Sequence, residues 1–120
     1  MSLNEISFFK KLPKDIKNEF LFSMKLKTFE KGSYLYKRDD ESKEMYLIQS
    51  GMVEIFNFMD KKEENEFVIE KLYRGSIVNH NSFLMNDELD TDARCTANVT
   101  VYYIDIDTFK TLRSKHIVLD

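Results

Sequence analysis

The residues best suited to chemistry lie in one stretch, Gly75 to Arg94, which reads GSIVNHNSFLMNDELDTDAR. It holds His80, one of two histidines in the chain, and Gly75, one of three glycines. The His80 imidazole could donate or accept a hydrogen bond to a ligand hydroxyl, or act as a pH switch. It could equally be a loop histidine with no ligand. Asn79, Asn81 and Ser82 offer polar contacts to a ligand. They also suit a tight turn running into a short helix, since Asn tolerates positive φ and both types cap helices. The acids Asp87, Glu88, Asp90 and Asp92 read as a solvated loop. A calcium loop would need a central glycine and a terminal glutamate that this spacing lacks. Arg94 is the only arginine in the stretch.

Catalytic readings find little support. With only His80 and His116, there is no His-x-His metal set. No Ser–His–acid or Cys–His order is evident, and no glycine-rich phosphate loop exists. Cys95 has no histidine beside it and reads as a small buried apolar residue.

The 120 residues fit one domain. At 42% hydrophobic and 32% charged, the composition is that of a globular chain able to bury a core without metal or disulfide. The net charge of −3 gives nucleic-acid binding no electrostatic support. A single cysteine forbids an internal disulfide and suits a reducing compartment. No apolar run is long enough to span a bilayer and no signal-peptide core is visible, so direct membrane insertion by this segment is not expected.

These residues need a scaffold, and the patterning describes one. Pro13 suits a first helical turn. Ile16, Phe20 and Met24 then recur at four-residue spacing with Leu21 beside them, while Phe8, Phe9 and Leu12 suggest a short preceding helix. From Lys25 the period changes to short β-rich runs with turn signals at Glu30-Lys31-Gly32, Arg38-Asp39-Asp40 and Ser50-Gly51. Ser33–Tyr36, Met45–Ile48, Val53–Phe58 and Phe67–Tyr73 read as strands, with a charged hairpin loop at Asp60–Asn65. Val99–Ile104 is the clearest strand, being almost wholly β-branched and aromatic. Adjacent tyrosines such as Tyr102 and Tyr103 should face opposite ways. A second helix is expected to open at Asp107 as N-cap, with Phe109 and Leu112 inward. Helix, all-β barrel, helix is the order, with N-terminal helices over 1–24, the barrel over 25–106 and the start of a C-terminal helix over 107–120.

In that order the motifs resemble the cyclic-nucleotide-binding domain family. FFKKLPKDIKNEF is similar to its opening helix, FEKGSYLY to its first glycine turn, MYLIQSGMVEIF to its most recognisable hairpin, and VYYIDIDTF to its last strand and following helix. The resemblance implies a mainly β fold with flanking helices, a double-stranded β-helix or jelly-roll β-roll. The opening segment and hairpin look more like the cation-channel branch than the bacterial transcription-factor branch. That implies a cytoplasmic domain of a membrane protein, whose partners are the parent channel's helices or neighbouring subunits.

The family's ligand site is a short helix between two barrel strands, here near 79–85. Helix N–H groups cradle the cyclic phosphate, an arginine pairs with it, and a glutamate takes the ribose hydroxyl. Gly75, Ile77 and Val78 match that pattern. Asn79 stands for its second glycine and His80 for its glutamate. The arginine would fall near Leu89 or Asp90, and neither can pair with a phosphate. Arg94 lands in the next strand and would reach the pocket only if the intervening loop were rearranged. A like charge at about 4 Å costs from about 1 kcal/mol in water to about 4 at a protein surface. Loss of the charged pair adds about 1.5–3 kcal/mol. The resemblance therefore implies a regulatory domain, without catalysis or cofactor, that binds cAMP or cGMP weakly or not at all. The alternative is a structural or protein-interaction domain of the same fold. A cupin-like enzyme is nearly excluded by the histidine count.

Overall fold

The computed structural model describes residues 13–41, 43–59, 62, 65–78 and 89–115. Helix α1, Lys14–Ser23, begins directly after Pro13, whose missing N–H is not needed there. Lys17 donates its N–H to the Pro13 carbonyl at 3.1 Å. Ile16 and Phe20 are buried one turn apart, and Met24 packs against the same cluster. Leu21 does not join this stripe, being 49% exposed, and Phe22 is 90% exposed. Each residue advances about 100° round a helix, which carries both away from the face of Phe20. The expected helix at Phe8, Phe9 and Leu12 lies outside the described residues.

Eight strands follow: β1 (Lys25–Phe29), β2 (Tyr34–Tyr36), β3 (Glu44–Ser50), β4 (Val53–Phe58), β5 (Glu66–Leu72), β6 (Ile77–Val78), β7 (Asp92–Cys95) and β8 (Val99–Asp105). They form two antiparallel sheets in the orders β1-β8-β3-β6 and β2-β7-β4-β5. This is the β-roll with flanking helices expected from the sequence. Most of the charged loop expected at Asp60–Asn65 lies outside the described residues.

Two cores explain the patterning. Leu35, Ile48, Val53, Ile55, Val78, Ala93, Cys95, Val99 and Val101 pack between the sheets. Ile16, Phe20, Met45, Ile77, Ile104, Phe109 and Leu112 pack where the helices cover the first sheet. Strand β3 serves both, with Met45 and Leu47 on the helix side and Tyr46 and Ile48 between the sheets. That double burial is why its apolar run MYLI does not alternate with polar residues. Strand β8 does the same with Ile104 on one side and Val99 and Val101 on the other. Tyr102 and Tyr103 face opposite ways as expected, Tyr102 being 37% exposed and Tyr103 packed on the inter-sheet core.

Helix α2, Ile106–Lys115, starts one residue earlier than expected, and its cap is Asp105 rather than Asp107. The Asp105 carboxylate accepts the Thr108 N–H at 2.7 Å, satisfying a donor that a first helical turn leaves unpaired. That amide bond holds the Asp105 carboxyl below its ordinary range. Phe109 and Leu112 point inward as expected. The Phe109 ring lies 5.5 Å from that of Phe20, tying α2 to α1. Neither helix is long and apolar enough to cross a membrane.

Candidate functional site

The stretch from Gly75 to Arg94 is anchored at both ends. Gly75 has φ +89°, the left-handed conformation that favours glycine. Its N–H donates to the Ile48 carbonyl at 2.9 Å, and the Ile48 N–H donates to the Ser76 carbonyl at 2.9 Å. These bonds fix the turn against β3 and deliver Ile77 and Val78 into β6. Alternation then splits the pair, Ile77 entering the helix-side core and Val78 the inter-sheet core. Asn79, His80, Asn81 and Ser82, with Asp87 and Glu88, lie outside the described residues.

The chain returns at Leu89, which is 4% exposed. Its carbonyl accepts the Asp39 N–H at 2.7 Å, and its own N–H donates to the Asp40 carbonyl at 3.1 Å. Asp39 has φ +71°, so a strained turn brings this ladder of two bonds into place. Asp92 is not part of a solvated loop. It opens β7, is 6% exposed, and accepts the Arg38 N–H at 2.8 Å. A buried carboxylate is tolerable only with such a partner.

Beside Leu89 opens a cleft of about 320 Å³ lined by Leu35, Tyr36, Asp40, Glu41, Lys43, Glu44, Tyr46 and Leu89. Tyr46 pairs with Val78 across the β3–β6 ladder, so the cleft adjoins the end of the Gly75 turn. The Tyr46 hydroxyl donates to Glu44 Oε1 at 2.7 Å. Burial first, and that carboxylate second, push the Tyr46 phenol well up. Burial also raises the Tyr36 phenol, whose oxygen lies 3.5 Å from Thr91 Oγ1. Glu44 further meets Lys27 at 3.6 Å. Three carboxylates against one lysine make the cleft wall unfavourable to an anion.

Arg94 sits in β7 as the sequence indicated, but on the side away from this cleft. Its neighbours Ala93 and Cys95 face the inter-sheet core, so strand alternation turns Arg94 outward. There Nη2 meets Glu54 Oε1 at 3.0 Å and Glu66 Oε1 at 2.8 Å. Nη1 donates to Glu66 Oε2 at 3.1 Å, completing a two-pronged pair. The guanidinium also stacks 4.3 Å from the Phe56 ring centre. These hydrogen bonds raise the Arg94 pKa and hold the Glu66 carboxyl below its ordinary range. Cys95 is buried with a raised thiol pKa, as its apolar reading required.

The structure thus pairs Val78 with Tyr46 of the cleft wall, ties Gly75 to Ile48 further along β3, and turns Arg94 to the other side. Tyr36, Asp40, Glu44 and Tyr46 were not singled out from the sequence. Nothing local could have marked them, because β3–β6 pairing and the backbone bonds to Leu89 assemble the cleft.

Comparison with known proteins agrees with this geometry. Residues 26–116 match the family described as the cyclic nucleotide-binding domain, and the chain belongs to that family. No curated protein matches. Among solved structures it is similar to the N-terminal domain of a transcriptional regulator from Streptomyces coelicolor A3(2), at 14% identity and TM-score 0.82, covering 98% of this chain and 80% of that one. It is also similar to the regulatory domain of Toxoplasma gondii PKA with cAMP, at 20% identity and TM-score 0.80, covering 92% and 41%. A third is the regulatory subunit of a cAMP-independent protein kinase A from Trypanosoma cruzi bound to guanosine, at 20% identity and TM-score 0.76, covering 93% and 39%. The chain therefore spans less than two thirds of the two kinase regulators. At these identities the likeness shows the fold.

Proposed function

We propose that this is a regulatory domain that binds cAMP and cGMP weakly or not at all and passes changes in its barrel through α1 and α2. One observation carries the reading: the place where the family resemblance puts a phosphate arginine is held by buried Leu89, beside the carboxylate-lined cleft. Arg94, the nearest arginine along the sequence, is engaged by Glu54 and Glu66 on the opposite face. The Trypanosoma cruzi relative, cAMP-independent and bound to guanosine, supports a barrel of this fold working without a cyclic phosphate. The opening segment and hairpin, with their channel-like pattern, support a cation channel as parent. In that setting the helices would act on the channel's own helices or on neighbouring subunits, from the cytoplasmic side. Asn79, His80, Asn81 and Ser82 would supply what polar contact a ligand receives.

Titration calorimetry with cAMP and cGMP tests the reading. The expected result is no heat of binding at micromolar ligand. Micromolar or tighter binding of either nucleotide would overturn it.

A further inference from the structure

We propose that β5 is a self-association edge, on which a second copy of this chain adds its own β5 in antiparallel fashion. The inference is independent of the ligand reading. Strand β5 ends the second sheet, and among the described residues its one strand neighbour is β4. An open edge presents unpaired N–H and C=O groups, which natural sheets guard with lysine, proline or a covering element. Strand β1, at the edge of the other sheet, has such a guard in Lys25 and Lys27. Strand β5 has Lys71 near one end and a bulge at Ile69, but its middle is apolar: Phe67, Val68 and Ile69 follow one another and are 47%, 44% and 51% exposed. Consecutive residues point to opposite faces, so the strand is open and apolar on both.

Its charges are arranged to match a copy of itself. Phe56 pairs with Val68 and Ile55 with Glu70, which leaves Ile69 as an extra residue in a bulge. Glu66 lies opposite Phe58 and Lys71 opposite Glu54. Phe58 and Glu54 share a face of β4, so the bulge puts Glu66 and Lys71 on one face despite their odd sequence spacing. Two β5 strands related by a two-fold axis perpendicular to the sheet keep each face on its own side. With the axis between Val68 and Ile69, Glu66 of each copy faces the partner's Lys71, Val68 meets the partner's Ile69 at the centre, and Phe67 lies across from the partner's Glu70. Opposite charges directly across a strand pair attract, and like charges there repel.

Sedimentation measured from micromolar to millimolar chain tests this. One added strand pair is smaller than a standard stable interface, so a weak, concentration-dependent dimer is expected, loosened by salt. Val68→Lys should abolish it while leaving the circular dichroism of the monomer unchanged. Lys71→Glu places like charges together twice and should weaken association about tenfold or more. Mixing Lys71→Glu with Glu66→Lys chains should restore a dimer that neither forms alone. Glu66→Lys also loses the Arg94 contact; if it fails to fold, the other two variants decide. A wild-type chain that stays monomeric at millimolar concentration, or a dimer indifferent to Val68→Lys and Lys71→Glu, overturns the proposal.

Discussion

Replacing Arg94 with Met separates a structural arginine from a ligand-binding one. Met keeps most of the aliphatic stem and removes the guanidinium. The side chains of Arg94 and Glu54 are 25% and 13% exposed, so their contact is partly shielded from solvent. Partial screening discounts the usual charge-assisted bond to about 1 kcal/mol. Stacking on Phe56, at 4.3 Å, contributes about 0.5–1 kcal/mol. The contact with Glu66, which is open to solvent, is left out of this sum. The loss should total about 2 kcal/mol, or about 8 °C in Tm at roughly 4 °C per kcal/mol for a domain of this size. Urea unfolding gives the value directly, with an unchanged slope if the unfolded state is unaffected. Arg94→Lys should recover only part of the loss, since lysine cannot bridge two carboxylates in one plane. An Arg94→Met chain within about 0.5 kcal/mol of wild type, the range of an inert surface change, would refute a structural role for Arg94. So would a variant that keeps full stability yet changes a measured nucleotide affinity, since Arg94 would then reach the pocket.

Asp105→Ala should destabilise the chain by about 1 kcal/mol in urea unfolding, the usual value of an N-cap. Because the folded Asp105 carboxyl titrates below its ordinary range, its contribution is full above its unfolded pKa of about 3.9 and is lost as pH falls through the lower folded value. The stability gap between wild type and Asp105→Asn should therefore be constant near neutrality and shrink in acid; a gap that widens on acidification would refute the cap. Gly32 and Gly51 both have positive φ, +91° and +94°, but differ in space. A Cβ at Gly32 meets nothing within 4 Å, whereas one at Gly51 collides with the Asn98 carbonyl oxygen and with Val99. Gly32→Ala should cost about 1–2 kcal/mol from the backbone alone, and Gly51→Ala clearly more, by thermal or urea unfolding. Equal losses would show that the close approach of Asn98 is not felt.

Much of the fold was legible because one face of each element obeys a simple period. Phe109 and Leu112 repeat at helical spacing, and Val99, Val101 and Tyr103 alternate along β8. Leu21 was misplaced because a four-residue repeat fixes a stripe's direction and not its width. The N-cap was read two residues late because Asp105 and Asp107 are chemically alike. Only the hydrogen bond to Thr108 distinguishes them. In the site, the family resemblance, and not spacing by itself, sets where a phosphate arginine would stand, and the sequence has Leu89 and Asp90 there. Asp92 could not be placed that way: among acids it looked solvated, and only its bond to the Arg38 amide shows why it can be buried.

The sequence by itself therefore determined the order of elements, the inward faces and the absence of an arginine at positions 89 and 90. Those are properties of neighbours along the chain, where period and side-chain chemistry act directly. Tertiary structure alone decided where Arg94 spends its charge, which residues line the cleft and that β5 ends its sheet among the described residues. Each of those depends on register between strands distant in sequence, and a shift of one residue would exchange the two faces of the sheet.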